Sequence, residues 1–574
     1  MTNASGRPRL SRRGMLKLQG VAIAAGAAAV AAPEGLLDTL AAPTAMAQGN
    51  ATTASDPPLP PPAVIVLNRL AFGPKPGSFD YATFNSMAGA TAQEKLGAWV
   101  DWQLNPGGIA DAECDQKLAA AGLATMGQSL TQLWANYYKA QNADRTRPVR
   151  EVRAATFIRA TYSKRQLQEV LADFWHNHFS VYAWDYAYAS ATYMHYDRDV
   201  IRANMWGRFR TFLEAVATSP AMLYYLDNYV NEVGGPNENY ARELFELHTL
   251  GAENYYGTKS QNEVPKWPNT LVPLGYVDGD IYEATRCFTG WRLKDGRWPV
   301  QESTGEFYYF KDWHDRFQKK VLSPTPEPNI PPDQGDMKDG RDVLDLLASH
   351  PGTARFICRK LIRRLVTDDP PEALVEAAAA KFLALQDDPA QLLKVVRFII
   401  CQTDSGPAAP DCLFLQTYGQ KVKRPFESAV GALRAVNANF TPTDSFFWRY
   451  DAMGQALFGR RSPDGYPDVR RAWTNTTTML KRWQLVIDLL RNSIDDKNSV
   501  NVVAQSGGNT ASSIADHWIN RILGRPLAGA PRQAIVDFMR GSKGADSVLT
   551  SQEIDERLKH MVALVIMTPE FQWR

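Results

Sequence analysis

From residue 63 onward, apolar side chains recur mostly at three- and four-residue intervals, the spacing that lays one stripe along an α-helix. After Asp339 the chain alternates helix-length stripes with short turns: ARFICRKLIRRLV, EALVEAAAAKFLALQ, AQLLKVVRFIICQ, FESAVGALRAV, MLKRWQLVIDLLRN and ERLKHMVALVIMTPEFQWR. Before it, helical patterns cover Gln93–Leu104, Ala110–Ala121, Leu130–Ala140 and residues 149–182, the last ending in LADFWHNHFSVY. There Leu167, Val170, Leu171, Phe174 and His178 share one face, and Glu169, Asp173 and His176 share another. Residues 252–279 and 295–340 are rich in Gly, Pro, Asn and Asp and read as long loops, with a short β hairpin around Glu306–Lys311. Between them Asp280–Arg292 reads as a short helix capped by Asp280. No repeat of constant period and no run of alternating strands occurs. The pattern predicts a mainly α fold: a large multi-helix body with long irregular loops and a minor β hairpin.

The densest polar chemistry lies in Asn237–Gly251, NENYARELFELHTLG, with Pro236 before it and Gly251 after it as helix punctuation. On an ideal helix Asn239, Glu243, Glu246 and Leu250 fall within roughly 40° of one line, with Arg242 beside them. His248 falls on the opposite side unless the last turn is distorted. Two acids on one stripe can split their pKa values, one raised by its neighbour and one staying ionised, as acid–base catalysis requires. The alternative is an Arg242–Glu246 pair that braces the helix.

Composition changes the picture mainly at the N-terminus. Ser11-Arg12-Arg13-Gly14-Met15-Leu16-Lys17 resembles a twin-arginine export signal, followed by an apolar run from Val21 to Ala32 and an Ala45-Met46-Ala47 cleavage site. That run is too short for an ordinary membrane span. Domains are therefore expected as a signal peptide at 1–47, a Pro-rich linker at 48–62, an N-terminal helical lobe at 63–338 carrying the site, and a C-terminal helical lobe at 339–574. Removing residues 1–47 leaves 58 Lys and Arg against 59 Asp and Glu, a balance that disfavours nucleic acid as a partner. The five cysteines are scattered without a C-x-x-C pair, which argues against a disulfide framework or a zinc–thiolate knuckle. Nucleotide-loop, serine-hydrolase and H-E-x-x-H motifs are absent from the sequence.

Further candidates surround the central stretch. His176 and His178 lie about 160° apart on a continuous helix and can join one metal site only if the helix ends between them. His314-Asp315, with Lys319 one turn later, can supply a ligand or an oriented general base. Arg286 and Trp291 in RCFTGW can bind an anion and stack on a ring. The aromatic run Trp184 to Tyr196 reads either as core or as a sugar-stacking platform.

VLNRLAFGPKPG, DFWHNHFSV, SPAMLYYLDN, NENYARELFELHTLG, DIYEATRCFTGW, HDRFQK, ARFICRKLIRRLV, KRPFESAVGALRAV and TPEFQWR together resemble the bacterial domain-of-unknown-function 1800 family, over nearly all the chain after the linker. The resemblance implies an exported protein, often encoded beside a sulfatase-like partner. The expected site gathers His178, Glu243, Arg242, His314 and Asp315. Glu243, Arg242 and Asp315 would be catalytic; His178, His314, Glu243 and His176 would be ligands of a divalent metal ion; Asn239, Glu246, Arg286 and Trp291 would contact substrate. The expected activity is acid–base or metal-assisted hydrolysis of an extracytoplasmic polymer such as a glycan, in the periplasm or outside the cell. The alternatives are a metal-dependent oxidoreductase and a non-catalytic envelope scaffold.

Overall fold

The computed structural model describes residues 59–184 and 187–574; the export signal read at 1–47 and the Pro-rich stretch up to residue 58 lie outside them. The helices that position the candidate residues are α1 (Arg147–Tyr162), α2 (Gln166–His178), α3 (Ala187–His195), α4 (Asn239–Glu243), α5 (Asp278–Cys287), α6 (Lys338–Ala348), α7 (Pro351–Leu365) and α8 (Pro425–Ala435). Strands β1 (Trp291–Asp295) and β2 (Ser303–Tyr309) pair antiparallel, the sole sheet among the described residues. The fold is mainly α with one minor hairpin.

Helix α2 shows how the pattern becomes structure. Leu167, Val170, Leu171, Phe174 and Trp175 are buried. Each such side chain withdrawn from water is worth roughly 1.5–3 kcal/mol before entropy is charged against it. The second face is buried too, which a helix can tolerate only if its polar groups are partnered. Glu169 accepts from both terminal nitrogens of Arg202, Asp173 binds Arg364 and Arg424, and His176 binds Asp197. The helix ends at His178, and Asn177 locks the end to a distant loop: its Nδ2 donates to the Tyr466 carbonyl at 2.8 Å and its Oδ1 accepts from the Tyr466 N–H at 2.7 Å.

Two local expectations change. The segment beginning at Asp278 is helical only to Cys287; Trp291 and Arg292 belong to β1. Asp280 lies inside the first turn, where its carboxylate accepts the Val277 N–H at 3.0 Å. The central stretch is α-helical only over α4 and continues as a π-turn, Leu244–Thr249. At its start the Asn237 side chain accepts the Asn239 N–H at 3.1 Å. In the π-turn the Leu250 N–H reaches back five residues to the Phe245 carbonyl at 2.9 Å. The wider turn lags the α-helical phase, so residues after Glu243 no longer fall where a 100° step puts them.

Leu59–Arg574 cluster as one compact unit, and helices on either side of residue 338 pack on each other. Helix α5 and the π-turn touch α6, the π-turn touches α7, and α1 packs between α3 and α8. No helix among the described residues is long and apolar enough to cross a membrane.

Candidate functional site

Side-chain chemistry concentrates where α2 ends against α7. His178 is buried; its Nε2 lies 3.2 Å from the His248 carbonyl and its Nδ1 lies 2.8 Å from Lys360 Nζ. The ammonium donates to Nδ1, so the proton of a neutral imidazole sits on Nε2 and points to the carbonyl. Burial, then the charge of Lys360 and the neighbouring His248, hold the His178 pKa well below the ordinary histidine value. Burial likewise lowers Lys360 to about 8, against the attraction of Asp468. A lysine near 8 can give up and regain its proton close to neutral pH.

The pair lines a cavity of about 240 Å³, bounded also by Phe174, Asn177, Arg363 and the loop Asp464–Val469. Its two carboxylates have different surroundings. Asp464 is half exposed and pairs with Arg460 at 3.0 Å. Asp468 sits deeper, 3.4 Å from Arg364 and 3.9 Å from Lys421. Burial works against its charged form, but Arg364, Lys421 and Arg424 outweigh burial and hold its carboxyl below the usual range. Lysine, imidazole and carboxylates thus share one hollow.

His248 joins from behind. The π-turn brings its ring to 6.3 Å from that of His178 and 5.3 Å from Phe179. It is fully buried, neither ring nitrogen has a hydrogen-bond partner, and burial with the Lys360 charge lowers its pKa to about 3. His176, by contrast, lies on the other side of Asn177, with Nε2 2.9 Å from Asp197, which is itself clasped by Arg202. The two histidines of the HNH run therefore serve different networks, as their angular separation requires.

His314, Asp315 and Arg286 form a network of their own. Arg286 grips Asp315 with two hydrogen bonds, 2.7 and 3.0 Å, and holds Glu283 with its remaining terminal nitrogen. His314 Nε2 lies 3.2 Å from Asp339, and Nδ1 lies 3.0 Å from the Thr289 carbonyl. Lys319 is fully buried between Asp339 and the Asp315 carbonyl. Arg286, the Phe317 N–H and Lys319 together hold the Asp315 carboxyl below its ordinary pKa against burial. Trp291 is fully buried, with Phe288 and Phe307 at its edges and Gly340 so close that a Cβ there would sit 2.5 Å from the ring. Its ring is core packing rather than a face offered to a ligand.

On the central stretch, Arg242 bonds to Glu238 and Asp278 at 3.3 Å each, taking partners one turn back and across to α5. Asp278 also accepts from the Tyr255 hydroxyl at 2.5 Å. Glu243, Glu246 and Asn239 are half-buried. Among the described residues no three His, Cys, Asp or Glu side chains are grouped so that they could hold a metal ion. The residues the sequence singles out thus divide among separate networks; that of His178 lines the cavity just described, and that of Arg286 and Lys319 lines another of about 340 Å³. Lys360, Asp464 and Asp468 complete the His178 site without a mark in the sequence, and His248, which an ideal helix turns away, joins it through the π-turn. Lys360 sits in ARFICRKLIRRLV, whose apolar spacing marks a helix but not which of its basic residues is buried; the loop acids carry no periodic signal at all.

No curated protein and no solved structure matches the chain. A family model does, over residues 65–573, and the chain belongs to the family described as "Protein of unknown function (DUF1800)".

Proposed function

We propose that the protein is an enzyme of acid–base hydrolysis acting at the His178–Lys360 cavity, exported through its twin-arginine signal to work on an extracytoplasmic polymer such as a glycan. The observation that supports this most is a lysine with a pKa of about 8 held against a neutral imidazole in a cavity that also contains two carboxylates. In the step envisaged, Asp464 accepts a proton from an attacking water while the Lys360 ammonium donates one to the departing oxygen. The bond to that oxygen breaks as the bond to water forms, and proton exchange with solvent resets both groups. His178 positions Lys360 and keeps it from turning to the nearby acids. Asp468 biases the ammonium electrostatically.

The test measures reducing ends released by purified protein from hydroxyethylcellulose, laminarin and peptidoglycan. Turnover is expected to fall above pH 8 as Lys360 loses its proton, and Lys360→Met is expected to lower kcat by about 10²–10⁴. Lys360→Arg should keep the fold and lose the alkaline limb near 8. Absence of release from all three polymers, or full activity in Lys360→Met, would remove the proposal. A second reading, an envelope scaffold pairing with a sulfatase-like protein, draws support from the mutually satisfied ion pairs of Arg242, Arg286 and Asp315. It expects Lys360→Met to leave both growth and co-purification with that partner unchanged.

A further inference from the structure

The hairpin carries a surface of unusual composition. Between residues 290 and 320 the large apolar side chains that stand exposed are Trp298 at 73%, Tyr308 at 37% and Phe317 at 72%, all of them aromatic and none aliphatic. Four rings adjoin in sequence along this surface, the exposed Tyr308 and Trp298 at its ends and the half-buried Phe310 and Trp313 between them: Tyr308 to Phe310 at 6.4 Å and 27° between planes, Phe310 to Trp313 at 6.1 Å and 70°, and Trp313 to Trp298 at 6.2 Å and 55°. The Arg292 guanidinium lies 3.9 Å from the centre of the Trp313 ring and braces one of its faces. Exposed Arg297, Lys311 and Asp312 flank the row with hydrogen-bonding groups.

The row rests on a rigid base. Gly305 in β2 lies so close to Trp134 that a Cβ there would sit 2.4 Å from the indole, and Trp134 Nε1 donates to Ser303 Oγ at 3.1 Å. Trp134 in turn packs on Tyr188 at 5.0 Å, and Tyr188 on Tyr224 at 4.1 Å. The buried part of the Tyr-rich run thus supports the hairpin from below, while the exposed rings belong to the hairpin and its following turn.

We propose that the Tyr308–Phe310–Trp313–Trp298 row is a binding platform for a neutral polysaccharide chain. A pyranose ring has an apolar C–H face and a rim of hydroxyls. The face suits the electron-rich flat of an aromatic ring, and the rim suits the flanking arginine, lysine and aspartate. A lipid surface fits poorly, because inserting the row would strip water from those flanking charges. A protein partner of ordinary composition would call for an apolar core that mixes aliphatic with aromatic groups, and here the exposed apolar area of the hairpin itself is aromatic, with Val233, whose N–H donates to the Trp313 carbonyl at 2.9 Å, adding exposed aliphatic area only at its side. The platform stands independently of the His178–Lys360 reading, since it needs no turnover.

Affinity electrophoresis of the full chain through gels containing hydroxyethylcellulose, laminarin or dextran tests the platform. Retardation by at least one probe is expected, with Trp298→Ala weakening it about tenfold and Trp313→Phe, which keeps a flat ring, retaining most of it. Circular dichroism establishes that the variants are folded, and Leu271→Ala, an exposed apolar change elsewhere, should retain full retardation. Retardation by none of the probes overturns the proposal, as does equal retardation of wild type and Trp298→Ala. So does Trp298-dependent binding to phosphatidylethanolamine–phosphatidylglycerol vesicles without binding to any polysaccharide. Hydrolytic activity lost in Lys360→Met with retardation intact would separate the cavity from the platform.

Discussion

At the scale of single residues, the clearest consequence of burial is at His248, whose pKa is lowered to about 3 with both ring nitrogens unpartnered. Unfolded, the imidazole binds a proton below about 6.5; folded, it stays neutral to about 3. The unfolded state therefore holds the extra proton throughout that window, and stability is lost as pH falls from 6.5 toward 3. His248→Leu should remove up to one proton from the linkage, flattening the acid limb of stability by as much as about 1.4 kcal/mol per pH unit. Urea titrations of both proteins at pH 6.5 and 5 measure this; parallel slopes would refute it. Lys423 makes the matching test on the basic side. It is buried with Nζ 3.8 Å from the centre of the Phe571 ring, and burial and Arg574 lower it to about 7. From about pH 7 to 10.5 the unfolded state holds the extra proton, so the cost of burying this lysine falls as pH rises through that window, and wild-type stability should rise relative to Lys423→Met between pH 6.5 and 9. Residue type made the histidines visible in the sequence, but not their partners: Lys360 lies 182 positions from His178. A contact made only by tertiary packing has no local signature.

At the scale of elements, hydrophobic spacing located α2 and the helices after Asp339 well, because each has a stripe that tertiary packing rewards. It misjudged the central stretch where local geometry departs from 3.6 residues per turn. Nothing in LFELHTLG announces the π-turn, yet that turn decides that His248 meets His178. The hairpin expected around Glu306–Lys311 catches only the end of β2 and misses β1 altogether for a similar reason: β1 is almost wholly buried and lacks the alternation that marks a half-exposed strand. Loop geometry at the cavity is equally hidden and equally testable. Gly465 sits at φ +71°, and a Cβ there would lie 2.2 Å from the Asn177 carbonyl oxygen. Both the positive φ and the clash fall on backbone, which cannot swing aside. Gly465→Ala should cost about 1–3 kcal/mol and displace the Asp464–Val469 wall, so its loss of turnover should exceed that of Gly454→Ala, where a Cβ would meet nothing within 4 Å. Equal effects on turnover would mean that the loop does not shape the site.

At the scale of the molecule, a buried ion cluster joins parts of the chain that the sequence suggested as lobes at 63–338 and 339–574. Asp173 of α2 binds Arg364 of α7 and Arg424 at the start of α8; Glu427 accepts from Arg364 at 3.1 Å and from Arg574 at 2.7 Å. Burial pushes Glu427 up, but Arg574, Arg424 and Arg364 outweigh it and bring its pKa to about 2. Such a cluster is not strong evidence of net stabilisation, since desolvation consumes much of the Coulombic gain. Its asymmetry is what matters: removing one member strands the others without water. Asp173→Ala leaves Arg364 and Arg424, both almost fully buried, short of a carboxylate, and should cost about 3–5 kcal/mol. Asp144→Ala, which breaks an ion pair with Arg150 whose two side chains are each 49% exposed, should cost under about 1 kcal/mol. Because the broken pairs join Asp173, before residue 338, to Arg364 and Arg424, after it, the penalty should fall on a single cooperative transition, with the urea midpoint moving and the slope kept. Were Asp173→Ala instead to split unfolding into two steps, one retaining the wild-type midpoint, the halves would be thermodynamically separable. The cavity at His178, built from α2, α7 and the 464–469 loop, would then depend on docking between them rather than on one continuous core.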